Sequence, residues 1–421
     1  MTLSDIERRL LAAIDSQALL TTLADLIAIP SLGGNENPAQ EYVAEFLTRL
    51  GMEVDVWELD FDTLRAHPAF SMEIERPGAL GVVGALGANR GGKRLILNGH
   101  IDVVPAGDET NWQFPPWQAT VADGRVYGRG ACDMKGGLAC ALHAARAIHQ
   151  AGVTLRGQLV IQSVVGEEDG GVGTLAAVRR GYRADGAVVV EPTELIVAPA
   201  QAGALSFRVT VAGLSAHGCV REEGISAIEK FMPLHQALIA LERQRNHAAA
   251  HPLYARYDLP YALCIGQIQG GDWPSSVADW LTFQGRYGVA PGEDVAQARR
   301  QFESTITQAA LADPWLRHHQ PKVEWWGGQF EPASIPTDHP LVQTVTTALA
   351  EISGEPGRVE GMTYGADMRL LVNEGGTPTV LFGPGDVRRA HRPDEFVSID
   401  DLITATQTLA LTAFRFCEGE A

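Results

Sequence analysis

The sequence predicts an α/β domain interrupted by an inserted α+β domain. Three observations carry that prediction. Largely apolar runs such as LVIQSVV and GAVVV alternate with helical patterns up to about residue 200, as in a sheet covered on both faces. From there, strands that alternate apolar and polar residues replace them, and from about residue 329 the first pattern returns. The predicted bounds are 1–202 and 329–421 for the two parts of the α/β domain and 203–328 for the insertion.

In chain order, residues 4–29 read as a helix that ends at Pro30 and the turn-rich SLGGNENP. PAQEYVAEFLTRLG has apolar residues at helical spacing and stops at Gly51. The strand patterns MEVDVWEL, GVVGAL and RLILNGHIDVV follow, then a helix at GGLACALHAARAIHQAG and the strands GQLVIQSVV and GAVVVEP. In the insertion, SFRVTVAGLSAHG is a strand with one wet face. A helix near 225–244, strands near 261–269 and 279–289, a helix near 294–311 and the strand KVEWWG come next. That β-α-β-β-α-β order suits two helices on one antiparallel sheet. The helix LVQTVTTALAEISG, the strand PTVLFGP and the helix IDDLITATQTLALTAFRFC complete the α/β domain.

The net charge of −18 argues against a nucleic-acid or anionic-lipid partner. No window approaches the length of an apolar membrane span, and MTLSDIERRLLAAIDSQ lacks the basic start of a signal peptide, so a cytoplasmic protein is expected. The five cysteines form no CxxC pair, which argues against a disulfide framework or a thiolate zinc knuckle, and Cys132 reads as small core filler. The glycine runs GALGANRGG and GRGACDMKGG lack the strand–GxGxxG–helix context of a nucleotide site.

Five places put carboxylates or imidazoles at the ends of elements, and those are the ligands that borderline divalent cations take. His100 and Asp102 stand two apart on LILNGHIDVV and can share a face. A histidine ligand usually passes its second N–H to a carboxylate, a role open to Asp102. Asp133 lies in a glycine-rich turn before a helix, where it could equally be a cap. Glu167 and Glu168 follow LVIQSVV and face opposite ways in an extended chain, so one can bind metal and the other a water. Glu191 leaves an apolar strand, at a sheet edge or merely as its first wet residue. His391 sits in the loop GPGDVRRAHRPDEFV. Each alone fits a surface pair or a solvated loop; together they offer enough ligands for two ions.

The motifs IPSLGGNE, GHIDVVP, WQFPPWQATVADGRVYGRGACDMKGG, GEEDGG, EPT, GLSAHG and GPGDVRRAHRPDE occur in one order along nearly the whole chain. In them the sequence resembles the M20 metallopeptidase family, within it the acetylornithine deacetylase and succinyl-diaminopimelate desuccinylase group. The resemblance implies a zinc-exopeptidase-like catalytic domain, its mixed sheet between helices, interrupted by a ferredoxin-like dimerisation or lid domain. It implies two zinc ions per chain, with cobalt or manganese able to substitute. Asp133 would bridge them, His100 and Glu191 would complete one site, and Glu168 and His391 the other. Glu167 would be the general base, Asp102 would orient His100, and the peptide bond after Asp133 would be cis.

His217 of GLSAHG would steady the oxyanion from the partner subunit, which makes a homodimer through the insertion the expected state. Arg286, Arg369 and Ser276 match positions near the substrate, although either arginine could instead form a structural ion pair and Asp367 is expected to position its loop. The family often has an asparagine where GGDWPSSVAD carries Ser275 and Ser276, which leaves the acyl group open. The implied activity is removal of an acyl group from an N-acylated amino acid or related small amine. A dipeptidase or carboxypeptidase is the nearest alternative, and a catalytically inactive metal-binding scaffold is the alternative from another class. A carbamoylase fits less well, because glutamate rather than histidine stands at 191.

Overall fold

The computed structural model describes residues 3–87, 91–248 and 251–420. Ala88, Asn89 and Arg90 of GALGANRGG lie outside these residues. The chain forms two compact units, one of residues 1–201, 334–362 and 366–421, the other of 202–333 and 363–365.

The first unit is built on a nine-stranded mixed sheet. Its order runs Glu53–Glu58, Leu80–Leu86, Gln158–Val164, Arg94–His100, Gly186–Val189, Thr379–Leu381 and Val197–Gln201, with Val359–Met362 and the two-residue strand Ala333–Ser334 both paired to the last of these. Arg94–His100 is parallel to both neighbours, and Thr379–Leu381 is parallel to Gly186–Val189. These four parallel strands therefore deliver their C-terminal ends to one edge, the edge at which α/β sheets place ligands. The helices Lys135–Gln150 and Ile399–Phe416 pack on one another and on Arg94–His100. Leu95, Ile96 and Leu97 are fully buried, and each such side chain stabilises the fold by about 1.5–3 kcal/mol. That burial offsets the cost of bringing the polar Asn98 and His100 into the interior on the same strand.

Three local readings change. The helix predicted over 4–29 is two helices, Asp5–Ala12 and Ser16–Ile27. The first starts at a Ser4–Glu7 capping box; the second starts where the Asp15 carboxylate accepts the Ala18 N–H, so an internal cap splits the apolar pattern. The helix Val172–Arg179 was not expected, because Gly171 and Gly173 obscure its start, and the buried strand Val197–Gln201 was hidden by Pro199. A small three-stranded sheet also joins Thr120–Ala122, Arg125–Tyr127 and Phe396–Ser398.

The second unit is a four-stranded antiparallel sheet in the order Leu263–Gly270, Trp280–Val289, Gly203–Ala212, Lys322–Phe330. With the helices Ala227–Ala248 and Val295–Ala312, it is the β-α-β-β-α-β sandwich that the pattern predicts. Leu205, Phe207, Val209 and Val211, every second residue of one strand, enter its core with Leu234, Leu238, Phe302 and Ile306 of the helices.

No single helix among the described residues is long and apolar enough to cross a membrane, and the five cysteines are free.

His143 on Lys135–Gln150 gives a pH prediction. Its ring lies 2.9 Å from Thr22 Oγ1, and burial, helped by the Arg146 charge, pulls its pKa down to about 4. The folded protein holds this ring neutral, so its contribution is fully present above the unfolded value near 6.5 and is lost as pH falls towards 4. His143→Gln should therefore gain on the wild type by roughly 2 kcal/mol between pH 7 and 4.5, read from urea midpoints. A stability difference independent of pH would contradict this.

Candidate metal centre and active site

His100 ends its strand with its side chain buried. Its Nδ1 is 2.9 Å from the main-chain oxygen of Asp102, and 3.7 Å from the carboxylate. Asp102 thus engages the ring through its backbone, not through the side chain that the sequence reading assigned. The Asp102 carboxylate instead accepts the Glu167 and Glu168 N–H groups at 3.3 and 3.0 Å, and so fixes the turn that carries both glutamates.

Asp133 stands between two imidazoles. Its Oδ1 is 3.2 Å from His100 Nε2, and its Oδ2 is 3.5 Å from His391 Nε2. The Asp133–Met134 peptide bond is cis. His391 Nε2 is also 3.0 Å from Glu168 Oε2. Glu167 Oε2 and Glu191 Oε1 approach His100 Nε2 at 3.9 and 4.0 Å. Ligand atoms of His100, Asp133 and Glu168 lie within 4.8 Å of one another, as do those of His100, Glu167 and Glu191.

Glycines make this convergence possible. A Cβ on Gly137 would sit 1.9 Å from the Val190 carbonyl, so only glycine lets the helix after Asp133 meet the strand end that carries Glu191. After the glutamates, Gly170 and Gly171 take φ of +143° and +81° and turn the chain sharply into Val172–Arg179.

Burial pushes Glu167 well up, and the Glu191 charge adds to it; burial and then Asp133 do the same to Glu191. Glu168 is raised for the same two reasons, burial and Asp133. His100 is held well above its usual value: burial pulls it down, but Asp133, Asp102, Glu191 and Glu167 outweigh it. Hydrogen bonds to Asp133 and Glu168 lift His391 to about 11. Asp133, despite burial, is lowered by both histidines. Four carboxyl groups, those of Glu167 and Glu191 buried, share two imidazoles, so acids outnumber bases in the cluster. Divalent cations on this oxygen and nitrogen donor set would satisfy it, so the residues present fit such ions.

The model of peptidase family M20/M25/M40 matches residues 96–415. The chain belongs to that family. It is 33% identical to an N-formyl-4-amino-5-aminomethyl-2-methylpyrimidine deformylase of Halalkalibacterium halodurans, over 99% of this chain and 98% of that one. It is 30% identical to an acetylornithine deacetylase of Myxococcus xanthus, over 96% and 98%. Among solved structures, a dinuclear metal-binding M20 peptidase of Bacillus subtilis superposes with a TM-score of 0.65 at 16% identity, covering 96% of this chain and 98% of that one.

Of the residues expected near substrate in this M20 chain, Arg369 is buried and its Nη2 donates to the Gly170 carbonyl at 2.6 Å. Asp367 is also buried and accepts the Thr174 hydroxyl at 2.6 Å; burial raises it to about 6. Both side chains lie against the loop that follows the glutamates. His217, Ser276 and Arg286 belong to the other unit. His217 and Ser276 are paired across an isolated bridge, and His217 Nδ1 accepts the Cys219 N–H at 3.2 Å. Arg286 is half-buried and donates to the Thr363 carbonyl at 3.1 Å.

The sequence reading assigned no role to two buried groups beside the site. Glu395 accepts the Cys132 and Asp133 N–H groups and pairs with Arg129. Arg76 lies between Glu36 and Asp169. Glu395 and Asp169 were visible only as extra acids in HRPDE and GEEDGG, and nothing in the sequence marks Arg76.

Proposed function

We propose that the chain is a metal-dependent amidohydrolase that removes a small acyl group from an N-acylated amine or amino acid. The observation that carries this is the convergence of His100, Asp133, Glu168, Glu191 and His391, buried at His100 and Glu191 and open to solvent at His391, with the buried Glu167 beside it. The relatives point the same way, since two that are 33% and 29% identical are named for deformylation and one that is 30% identical for deacetylation.

Two zinc ions held by His100, Glu191, Asp133, Glu168 and His391 would lower the pKa of a water and polarise the scissile carbonyl. Glu167 takes the proton from the attacking water as its oxygen adds to the carbonyl carbon. Burial beside Glu191 gives this carboxylate a higher proton affinity than an exposed glutamate, which suits a group that must accept a proton and release it again. It then passes the proton to the nitrogen as the C–N bond breaks, leaving a carboxylic acid and an amine, which exchange the remaining proton to become carboxylate and ammonium at neutral pH. Asp102 keeps Glu167 and Glu168 in place through their N–H groups. As the family resemblance implies, His217 would reach the developing oxyanion from the partner subunit, and Arg286, Arg369 and Ser276 would bear on substrate choice.

Free amine should be released from one class of a panel of N-formyl, N-acetyl and N-succinyl compounds plus dipeptides, by zinc-loaded protein and not by chelated protein. A formylated heteroaromatic amine belongs in the panel because of the deformylase relatives. Release from dipeptides alone would move the reading to a dipeptidase. No release by protein that holds two zinc ions would favour the inactive scaffold.

A homodimer through the second unit is part of the proposal. Ile228 and Met232, four apart on one helix, are each 51% exposed, as is Ile268 on the edge strand Leu263–Gly270. Apolar residues of this size beside an open strand edge suit a self-complementary interface. Sedimentation should give a dimer mass for the wild type and a monomer for Ile228→Glu/Ile268→Glu. A wild-type monomer at micromolar concentration would sink the idea.

A further inference from the structure

We propose that Glu395 is a positioning residue that clamps the main chain of Asp133 and thereby sets the bridging carboxylate; this rests on the metal reading above. Glu395 is fully buried, and each of its oxygens has a task. Oε1 accepts two successive N–H groups, from Cys132 at 2.9 Å and Asp133 at 3.0 Å. Oε2 receives Arg129 Nη1 at 2.5 Å. Arg129 is itself buried, donates its Nη2 to the Pro105 carbonyl at 3.2 Å, and lies 5.1 Å over the Trp112 ring.

One carboxylate therefore ties together three segments that carry candidate ligands. It holds Asp133 by its own N–H. It stands four residues beyond His391, in a loop also pinned by Asp394, whose Oδ1 accepts the Gln113 and Phe114 N–H groups at 2.8 and 3.2 Å. Through Arg129 it reaches Pro105, three residues beyond Asp102. A buried ion pair with no further task could be replaced, both partners together, by apolar packing with little loss. A carboxylate that accepts two consecutive peptide N–H groups has a geometric task as well, because it orients the peptide from which the Asp133 side chain projects. Partners behind a metal ligand typically matter by 10–100-fold in metal affinity or activity.

The test uses full-length protein stripped of metal and titrated with cobalt(II), followed by calorimetry and by the visible absorption of the bound ion, with thermal unfolding of the metal-free protein alongside. Glu395→Gln keeps the size and an acceptor oxygen but loses the charge that holds Arg129; Arg129→Lys keeps a cation without the fork. Both should weaken cobalt binding by about 10–100-fold and shift its absorption bands, while kcat falls and KM stays within about threefold. Unchanged affinity and unchanged spectra in both folded variants would overturn the clamp, even if their unfolding temperatures drop, since that is what a merely structural pair would show. Should Glu395→Gln fail to fold, Arg129→Lys alone decides. A wild-type protein that takes up no cobalt would overturn the metal reading, and the clamp with it.

Discussion

Glu167→Gln should lower kcat by about a thousandfold while leaving KM within about threefold and the uptake of two metal ions intact, because a positioned general base contributes roughly 10²–10⁴ to rate. The substitution keeps the shape of the side chain and removes only its ability to carry a proton. It should not cost stability in the metal-free protein, since Glu167 is raised by burial and by Glu191, and a neutral amide relieves both. The metal measurement matters as much as the rate. Ligand atoms of Glu167 lie within 4.8 Å of those of His100 and Glu191, so the geometry alone also permits Glu167 as a ligand. Loss of one ion in Glu167→Gln would make it a ligand and take away its role as base. Retention of both ions together with the loss in kcat would leave the base as the only account. Activity within tenfold of the wild type would contradict both.

The groups that meet at the sheet edge were legible in the sequence because each follows a patterned element. An apolar strand that ends in a charged residue marks a sheet edge, and parallel strands carry their ends to the same place. That logic places His100, Glu167, Glu168 and Glu191 before any coordinates exist, and the structure brings them together. What stayed hidden is whatever depends on contact between distant segments. The exchange at Asp102, with the backbone facing His100 and the side chain facing the glutamates, is invisible in GHIDVV, because both arrangements use the same residues at the same spacing. The clamp at Glu395 joins positions 395 and 133, and no periodic pattern connects them. The split of the first helix was readable in principle, since Asp15 followed by a helical run is a cap signal, but the uninterrupted apolar spacing outweighed it. Periodicity reports the face an element buries; it says nothing of which polar group waits on the other side.

Arg76→Met should destabilise the protein by about 3–5 kcal/mol, the range for removing one partner from a buried ionic cluster. Arg76 is fully buried in its side chain and binds Glu36 Oε1 through Nε at 2.7 Å. It grips Asp169 with two parallel bonds, from Nη2 at 2.7 Å and Nη1 at 2.9 Å. The two carboxylates are themselves buried, so without the guanidinium they stand as uncompensated charges. Burial already pushes Glu36 up against the opposing pull of Arg76, and the substitution removes that pull. Asp169 also accepts the Glu73 and Ile74 N–H groups at 3.0 and 2.7 Å, so the segment over 73–76 is held to the residue next to Glu168. Weakened metal affinity should accompany the lost stability, because the turn carrying Glu168 loses its anchor. Urea midpoints and metal titration separate the two effects. The triple variant Arg76→Met/Glu36→Gln/Asp169→Asn discharges the whole cluster yet keeps acceptors for those N–H groups, and it should recover most of the stability. A single variant that costs less than about 1 kcal/mol would mean that water reaches the cluster and screens it. A triple variant as unstable as the single one would mean that the fork itself, and not the buried charge left behind, is what the fold needs at Arg76.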